Sequence, residues 1–154
     1  MGITVSYRAM TQADFDRVLN GDVISMDVQI DELNLAKSHY GLHTILTGKD
    51  IDFVDKNNPL SIAILGWNDE TDENGDWYWE NCGWWEIWVG NGYNDKQAVK
   101  EISNAMNVVD FDKAFDKIDY GSNYKELYRN YFKYLKDFYQ MCADNDYAVE
   151  VDFW

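Results

Sequence analysis

His39 and His43 stand four residues apart, the spacing at which two imidazoles on one helix face can share a zinc ion. A zinc hydrolase of that kind needs a Glu directly after the first His as general base, and this chain has Tyr40 there. The sequence names no third ligand. The expected state is therefore one packed histidine, His43, and one surface histidine, His39, with no metal and no cofactor. His43 is expected to bond to backbone or to Ser61 and so pin two helices together. Lys37, His43 and Ser61 also form the alternative candidate, a pocket for a small molecule or a hydrolytic site. Ser61 has no nucleophile elbow around it, and neither Cys82 nor Cys142 sits in a reactive signature. No catalytic residue is expected, and the chain reads as a binding module rather than an enzyme.

The run Glu70-Thr71-Asp72-Glu73-Asn74-Gly75-Asp76 partly matches a calcium loop. Its first position is Glu rather than Asp, and Asn81 stands at the twelfth, where a bidentate Glu belongs. A solvated acidic turn is expected there. Gly90-Asn91-Gly92 lacks the further glycine and the Lys-Ser/Thr pair of a phosphate loop.

The aromatic residues carry the strongest signal. Six of the seven tryptophans lie between Trp67 and Trp88, in a stretch with seven acids and no Lys or Arg. Read as strands around turns at Asn74-Gly75 and Asn81–Gly83, this stretch puts Trp77 and Trp79 on one face and Tyr78 on the other. Trp85 and Ile87 share a face, and Trp84, Glu86 and Trp88 share the opposite one. A hairpin covered on one side leaves some of these rings for a further layer, a ligand or a partner. Interfaces favour Trp and Tyr anchors inside a polar rim, and this rim is acidic. The expected partner-binding residues are Asp72, Asp76, Trp77, Trp79, Glu80, Trp84, Trp85, Glu86 and Trp88.

Composition sets the sign of that partner. The chain has 154 residues and a net charge of −15, from 13 Lys+Arg against 28 Asp+Glu. Such a field argues against direct binding to nucleic acid or to an anionic membrane and favours a basic protein. Aromatic residues amid negative charge suit the cleft of a nuclease, where RNA or DNA would otherwise sit. The leading expectation is an immunity-type protein that neutralises a basic bacterial toxin by covering its active-site surface. The opening MGITVSYRAM predicts no export, no apolar run has membrane length, and cytoplasm is the expected location.

The elements that position these residues follow from periodicity and caps. Residues 3–9 alternate as a strand. Thr11 caps a short helix whose apolar face is Phe15, Val18 and Leu19, ending at Gly21. Residues 36–47 predict a helix stopped at Gly48, with Leu42, Ile45 and Leu46 inward. Asn58 and Pro59 open a buried helix over 59–65, closed by Gly66. A hairpin-like excursion fills 67–93. A helix over 95–106, capped by Asn94 or Asp95, turns Val99, Ile102 and Met106 inward, and Asp110 caps another over 111–118. Residues 124–143 predict a long helix with Tyr124, Leu127, Tyr128, Tyr131, Leu135, Phe138, Tyr139 and Cys142 along its apolar stripe. Residues 148–153 close the chain as a strand. The order predicts one α+β domain over 1–154, with the long helix packed on a small sheet.

Three stretches resemble the YfbM-like family of small bacterial proteins: the opening Met1-Gly2 before an apolar strand, LAKSHYGLHTILTG at 35–48, and NPLSIAILG at 58–66. Lys37, His43, Thr47, Gly48, Pro59, Leu60, Ser61 and Gly66 sit on the family pattern, and His39 stands where the family usually shows Trp. The resemblance implies a single α+β domain and implies no activity.

Overall fold

The structure is a computed structural model that describes residues 4–50, 54–68 and 91–154. Its frame is a four-stranded antiparallel sheet in the order β2-β1-β4-β3. The two central strands come from the two ends of the chain. β1 (Val5–Thr11) pairs with β4 (Tyr147–Phe153) along seven residues, from Val5↔Phe153 to Thr11↔Tyr147. β2 (Asp31–Asn34) and β3 (Gly92–Asn94) are short edges. Nothing in the composition of Asp31–Asn34 predicts a strand. The strand is held by its register with β1 (Arg8↔Glu32, Tyr7↔Leu33) rather than by β propensity.

Period-two alternation divides the sheet. Val5, Tyr7, Ala9, Val149 and Val151 face the main core. Ser6, Arg8, Met10, Ala148, Glu150 and Asp152 take the opposite face, where Met10 and Ala148 pack with Phe15 of α1 (Gln12–Leu19). The other helices are α2 (Ser25–Val28), α3 (His39–Thr47), α4 (Pro59–Leu65), α5 (Lys96–Asn107), α6 (Phe111–Asp116) and α7 (Lys125–Asp144). A 3-10 turn at Ser122–Tyr124 leads into α7, which at 20 residues runs roughly 30 Å across the domain. This is the expected α+β architecture.

Four of the expected caps are in place, each satisfying a backbone N–H that the first helical turn leaves unbonded. Thr11 Oγ1 accepts from Asp14 N at 3.1 Å, Asn58 Oδ1 from Leu60 N at 3.0 Å, Asp95 Oδ1 from Ala98 N at 2.8 Å and Asp110 Oδ1 from Lys113 N at 3.1 Å. Of the two candidates before α5, Asp95 is the cap and Asn94 is buried.

Several expectations are corrected. The helix expected from residue 36 begins at His39. Ala36 has φ 49°, and its carbonyl accepts from Val5 N at 2.8 Å, so the chain is still tied to β1 there. Leu19 is exposed, because α1 ends on it. Tyr124 and Leu127 are exposed too. The buried stripe of α7 runs through Phe132, Leu135, Phe138, Tyr139 and Cys142, with Tyr128 and Tyr131 half-buried against the core. The stripe therefore starts one turn later than the tyrosine spacing suggested, and Phe132 belongs to it. Of the excursion at 67–93, residues 69–90 lie outside the described residues. Its two described ends are joined by an isolated antiparallel bridge: Trp67 N donates to Tyr93 O at 3.2 Å, and Tyr93 N to Trp67 O at 2.7 Å.

α4 is the innermost helix, with Ile62, Ala63, Ile64 and Leu65 buried. A helix end leaves carbonyls short of intrahelical donors; Ile62 O keeps the Gly66 N–H, and three side chains add donors to it and to the next two carbonyls. Asn94 Nδ2 donates to Ile62 O at 2.7 Å, Tyr139 Oη to Ala63 O at 2.7 Å and Tyr7 Oη to Ile64 O at 3.0 Å. Gly66 follows at φ 68°, and a Cβ there would collide with the backbone of Gly92. Tyr139→Phe strands the Ala63 carbonyl and removes a neighbour of Asn94. It is expected to cost about 1–3 kcal/mol in urea unfolding, whereas Tyr134→Phe on the exposed side of α7 stays within about 0.5 kcal/mol.

Candidate functional site

The structure brings His43 and Ser61 together. α3 presents the imidazole and α4 the hydroxyl, with His43 Nε2 and Ser61 Oγ 2.8 Å apart. His43 Nδ1 lies 3.0 Å from the Lys49 carbonyl. A carbonyl only accepts, so Nδ1 carries the proton and Ser61 donates its hydroxyl hydrogen to Nε2. Ser61 Oγ in turn accepts from Asp55 N at 2.9 Å. Thr47 Oγ1 donates to His43 O at 2.7 Å and accepts from Lys49 N at 3.1 Å. A hydroxyl, an imidazole and an acceptor in a row are the parts of an activated serine, with a backbone carbonyl in place of the usual carboxylate. Both side chains are 0% exposed, however, and every polar atom of the pair is engaged. The arrangement ties α3 to α4 and fastens the chain that joins them, the pinning role expected of His43. Lys37 is exposed on the turn before α3 and makes no ion pair with another described residue.

His39 departs from expectation. It is 1% exposed, with its ring against Tyr40 (centroids 4.3 Å apart) and Phe153 (5.6 Å). The ring fills the space where the helix start meets the end of β4, so it belongs to the interior rather than the surface. Burial lowers its pKa from 6.5 to about 4. Burial also lowers that of His43, opposed by the Lys49 carbonyl bond and the charge of Asp50. With both nitrogens of His43 engaged, the two histidines do not form a ligand pair. Among the described residues no group of three His, Cys, Asp or Glu is placed to hold a metal. Cys142 is a buried thiol with its pKa raised to about 12, first by burial and then by the charge of Asp31.

A second polar constellation escaped the sequence reading. Arg8, on the sheet face opposite the main core, meets Asp152 and Glu150 of β4 and Glu32 of β2. Its NH1 lies 3.3 Å from Glu150 Oε1 and its NH2 lies 3.7 Å from Glu32 Oε1. Burial opposes its charge, but the Asp152 hydrogen bond and the three carboxylates outweigh burial and raise its pKa. One guanidinium thus ties three strands, and Glu150, 2% exposed, needs it as counter-charge. The signal in the sequence was Arg8 on one strand and the spacing Glu150-x-Asp152 on its partner.

The candidate interface residues Asp72, Asp76, Trp77, Trp79, Glu80, Trp84, Trp85, Glu86 and Trp88 lie outside the described residues, as do Cys82 and the acidic turn at 70–81. Trp67 and the described surface remain. On that surface Leu19, Ile24, Met26 and Ile30 are at least half exposed. Asp14, Asp16, Asp22, Asp27, Asp31 and Glu32 fall in the same span, with Arg17 as its one base.

A family model described as Domain of unknown function (DUF1877) matches residues 1–151. The chain belongs to that family. As a DUF1877 member it also shares its fold with a protein of unknown function, YfbM from Escherichia coli, seen in a crystal structure. The TM-score is 0.65 at 14% identity, over 97% of this chain and 98% of that one. The YfbM-like resemblance of the chain is thereby established, and at this identity the likeness carries the fold alone. No curated protein matches the chain. Among the described residues of this DUF1877 chain, no helix is long and apolar enough to cross a membrane.

The two lowered histidines give this DUF1877 chain an acid-sensitive stability. The unfolded chain takes up protons near pH 6.5 that the folded rings refuse. Stability from these groups is therefore complete above about pH 6.5 and declines as the pH falls toward 4. His39→Phe removes one of the two protons. Over that window, the slope of unfolding free energy against pH is expected to drop by up to about 1.4 kcal/mol per pH unit in urea titrations.

Proposed function

We propose that this chain is an acidic protein-binding module of the immunity type, acting in the cytoplasm. It neutralises a basic bacterial toxin, a nuclease domain foremost, by covering that domain's active-site surface. The observation that carries the reading is the distribution of charge. All 13 Lys and Arg lie outside residues 67–88, while that stretch holds seven acids and six of the seven tryptophans. Its field accelerates encounter with a basic protein, and indole rings supply the contact area that holds it. The acidic, apolar-studded surface of residues 12–34 adds to the same field.

The polar groups that could have served chemistry support a binding role by their engagement. His43 and Ser61 bond to each other and to backbone, and Arg8 is taken up by three carboxylates. A small-molecule pocket at Lys37, His43 and Ser61 has no comparable support, since two of its three members are sealed.

A pull-down against a panel of purified basic ribonuclease domains, at low and high salt, tests the proposal. The chain is expected to retain and inhibit at least one domain at low salt, with affinity falling as salt rises. Asp72→Lys, Asp76→Lys and Glu86→Lys together are expected to abolish retention and leave the circular dichroism spectrum unchanged. Retention of no basic domain at either salt, or undiminished retention by the triple variant, overturns it.

A further inference from the structure

Leu19, Ile24, Met26 and Ile30 stand in the open at 50%, 63%, 67% and 50% exposure. All four belong to the connection that runs from the end of α1 through α2 to the start of β2. Phe15 and Val18 of α1 and Val28 of α2 pack over Met10 and Ala148 on the second face of the sheet, and Ser25 is buried too. α2 is a single turn. With Ser25 and Val28 inward, three apart on one face, Met26 and the N-cap Ile24 are left outward. The Ile30 N–H donates to Ala9 O at 2.8 Å, which fixes the end of the connection against β1. From Ile24 to Ile30 the one-turn helix shortens the chain to a span of at most roughly 15 Å. Single exposed apolar residues are ordinary, whereas a group confined to one short connection is the pattern of a contact surface.

Charge names the occupant. Between Arg8 and Lys37 the chain has six acids, Asp14, Asp16, Asp22, Asp27, Asp31 and Glu32. The one base there, Arg17, is paired with Asp14 at 2.9 Å. Asp22 and Asp27 bracket Ile24 and Met26 in the chain and are exposed. Their carboxylates have no hydrogen bond or ion pair with another described residue. Two unpaired carboxylates around two apolar side chains complement a segment that carries both cations and apolar groups. A second copy of this chain would bring −15 against −15, and an anionic membrane meets the same repulsion. We propose that this connection is a docking surface for a basic amphipathic helix of another protein. Apolar side chains of that helix cover Ile24 and Met26, and its Lys or Arg side chains reach Asp22 and Asp27. The surface needs neither the tryptophan-rich stretch nor a nuclease partner, so it goes beyond the reading above and fails separately from it.

The test follows the ε-methyl resonance of Met26 in the full chain labelled with ¹³C-methyl methionine, assigned by its loss in Met26→Leu. Met10 and Met106 are both 0% exposed and serve as internal controls. A helical peptide of Leu and Lys is expected to shift Met26 saturably and to leave Met10 and Met106 in place. The same peptide with Glu for Lys is expected to shift nothing, and with Ser for Leu to bind about tenfold more weakly or worse. Asp22→Lys with Asp27→Lys is expected to weaken the Leu/Lys peptide by about tenfold or more. Asp119→Lys with Glu126→Lys makes the same change in net charge on the main-core side of the sheet, and is expected to weaken it by less than about threefold. All four acids are exposed, so the fold tolerates both variants. The Met26 shift is also expected to survive Asp72→Lys, Asp76→Lys and Glu86→Lys together, whatever the ribonuclease panel shows. A Met26 resonance unmoved by the Leu/Lys peptide, an equal shift with the Glu peptide, or equal weakening by the two double variants overturns the proposal. So does loss of the shift in the triple variant, or the same shift with phosphatidylcholine vesicles, which marks a lipid surface instead.

Discussion

The carbonyls of Ile62, Ala63 and Ile64 point from the end of α4 into the interior, where an unpaired polar group costs as much as several buried methylenes contribute. Asn94, Tyr139 and Tyr7 meet them, one each from β3, α7 and β1. Those three elements come from the middle, the end and the beginning of the chain, so satisfying one short helix brings the whole topology together. The constraint extends outward. With Ile62 held, Gly66 turns against Gly92, Trp67 pairs with Tyr93, and the ends of the tryptophan-rich stretch are fixed side by side. At the other end of α4, Ser61 takes His43 and Asp55, which binds α3 and the chain between them.

Much of this was legible in local chemistry. Thr11, Asn58 and Asp110 announce helix starts because a short oxygen-bearing side chain before an apolar run has little else to do. The continuous apolar run Leu60–Leu65 announces burial. Ser61 was readable as half of a pin because it is the one polar side chain of an apolar helix, with His43 on the helix before it as a partner. What escaped depends on long-range partners. Asp31–Asn34 has no strand composition and becomes a strand by pairing with β1. His39 looks like a surface residue until the end of β4 covers it. Arg8 on an alternating strand reads as solvent-facing, and only the register that sets Glu32 and Glu150 on either side of it makes it internal. Tyr124 and Leu127 kept the helical period but lie before the point where α7 reaches the core.

Charge is partitioned between inside and outside. The interior neutralises what it buries: Arg8 with its carboxylates, two histidines held neutral, and a thiol with a raised pKa. The surface keeps the excess negative charge, and it carries apolar side chains such as Ile24 and Met26 in the open. A net negative field of that kind repels anions and favours encounter with positively charged molecules.

The dependence of the fold on α4 is most directly measured by native-state hydrogen exchange of the amides of Ile64, Leu65 and Gly66, the last of which donates to Ile62 O at 2.7 Å. If the three side chains hold the helix as described, these amides exchange only through global unfolding, and their opening free energies equal that from denaturant titration. Exchange through a local opening well below the global free energy, with α7 and the central strands still protected, would contradict the account.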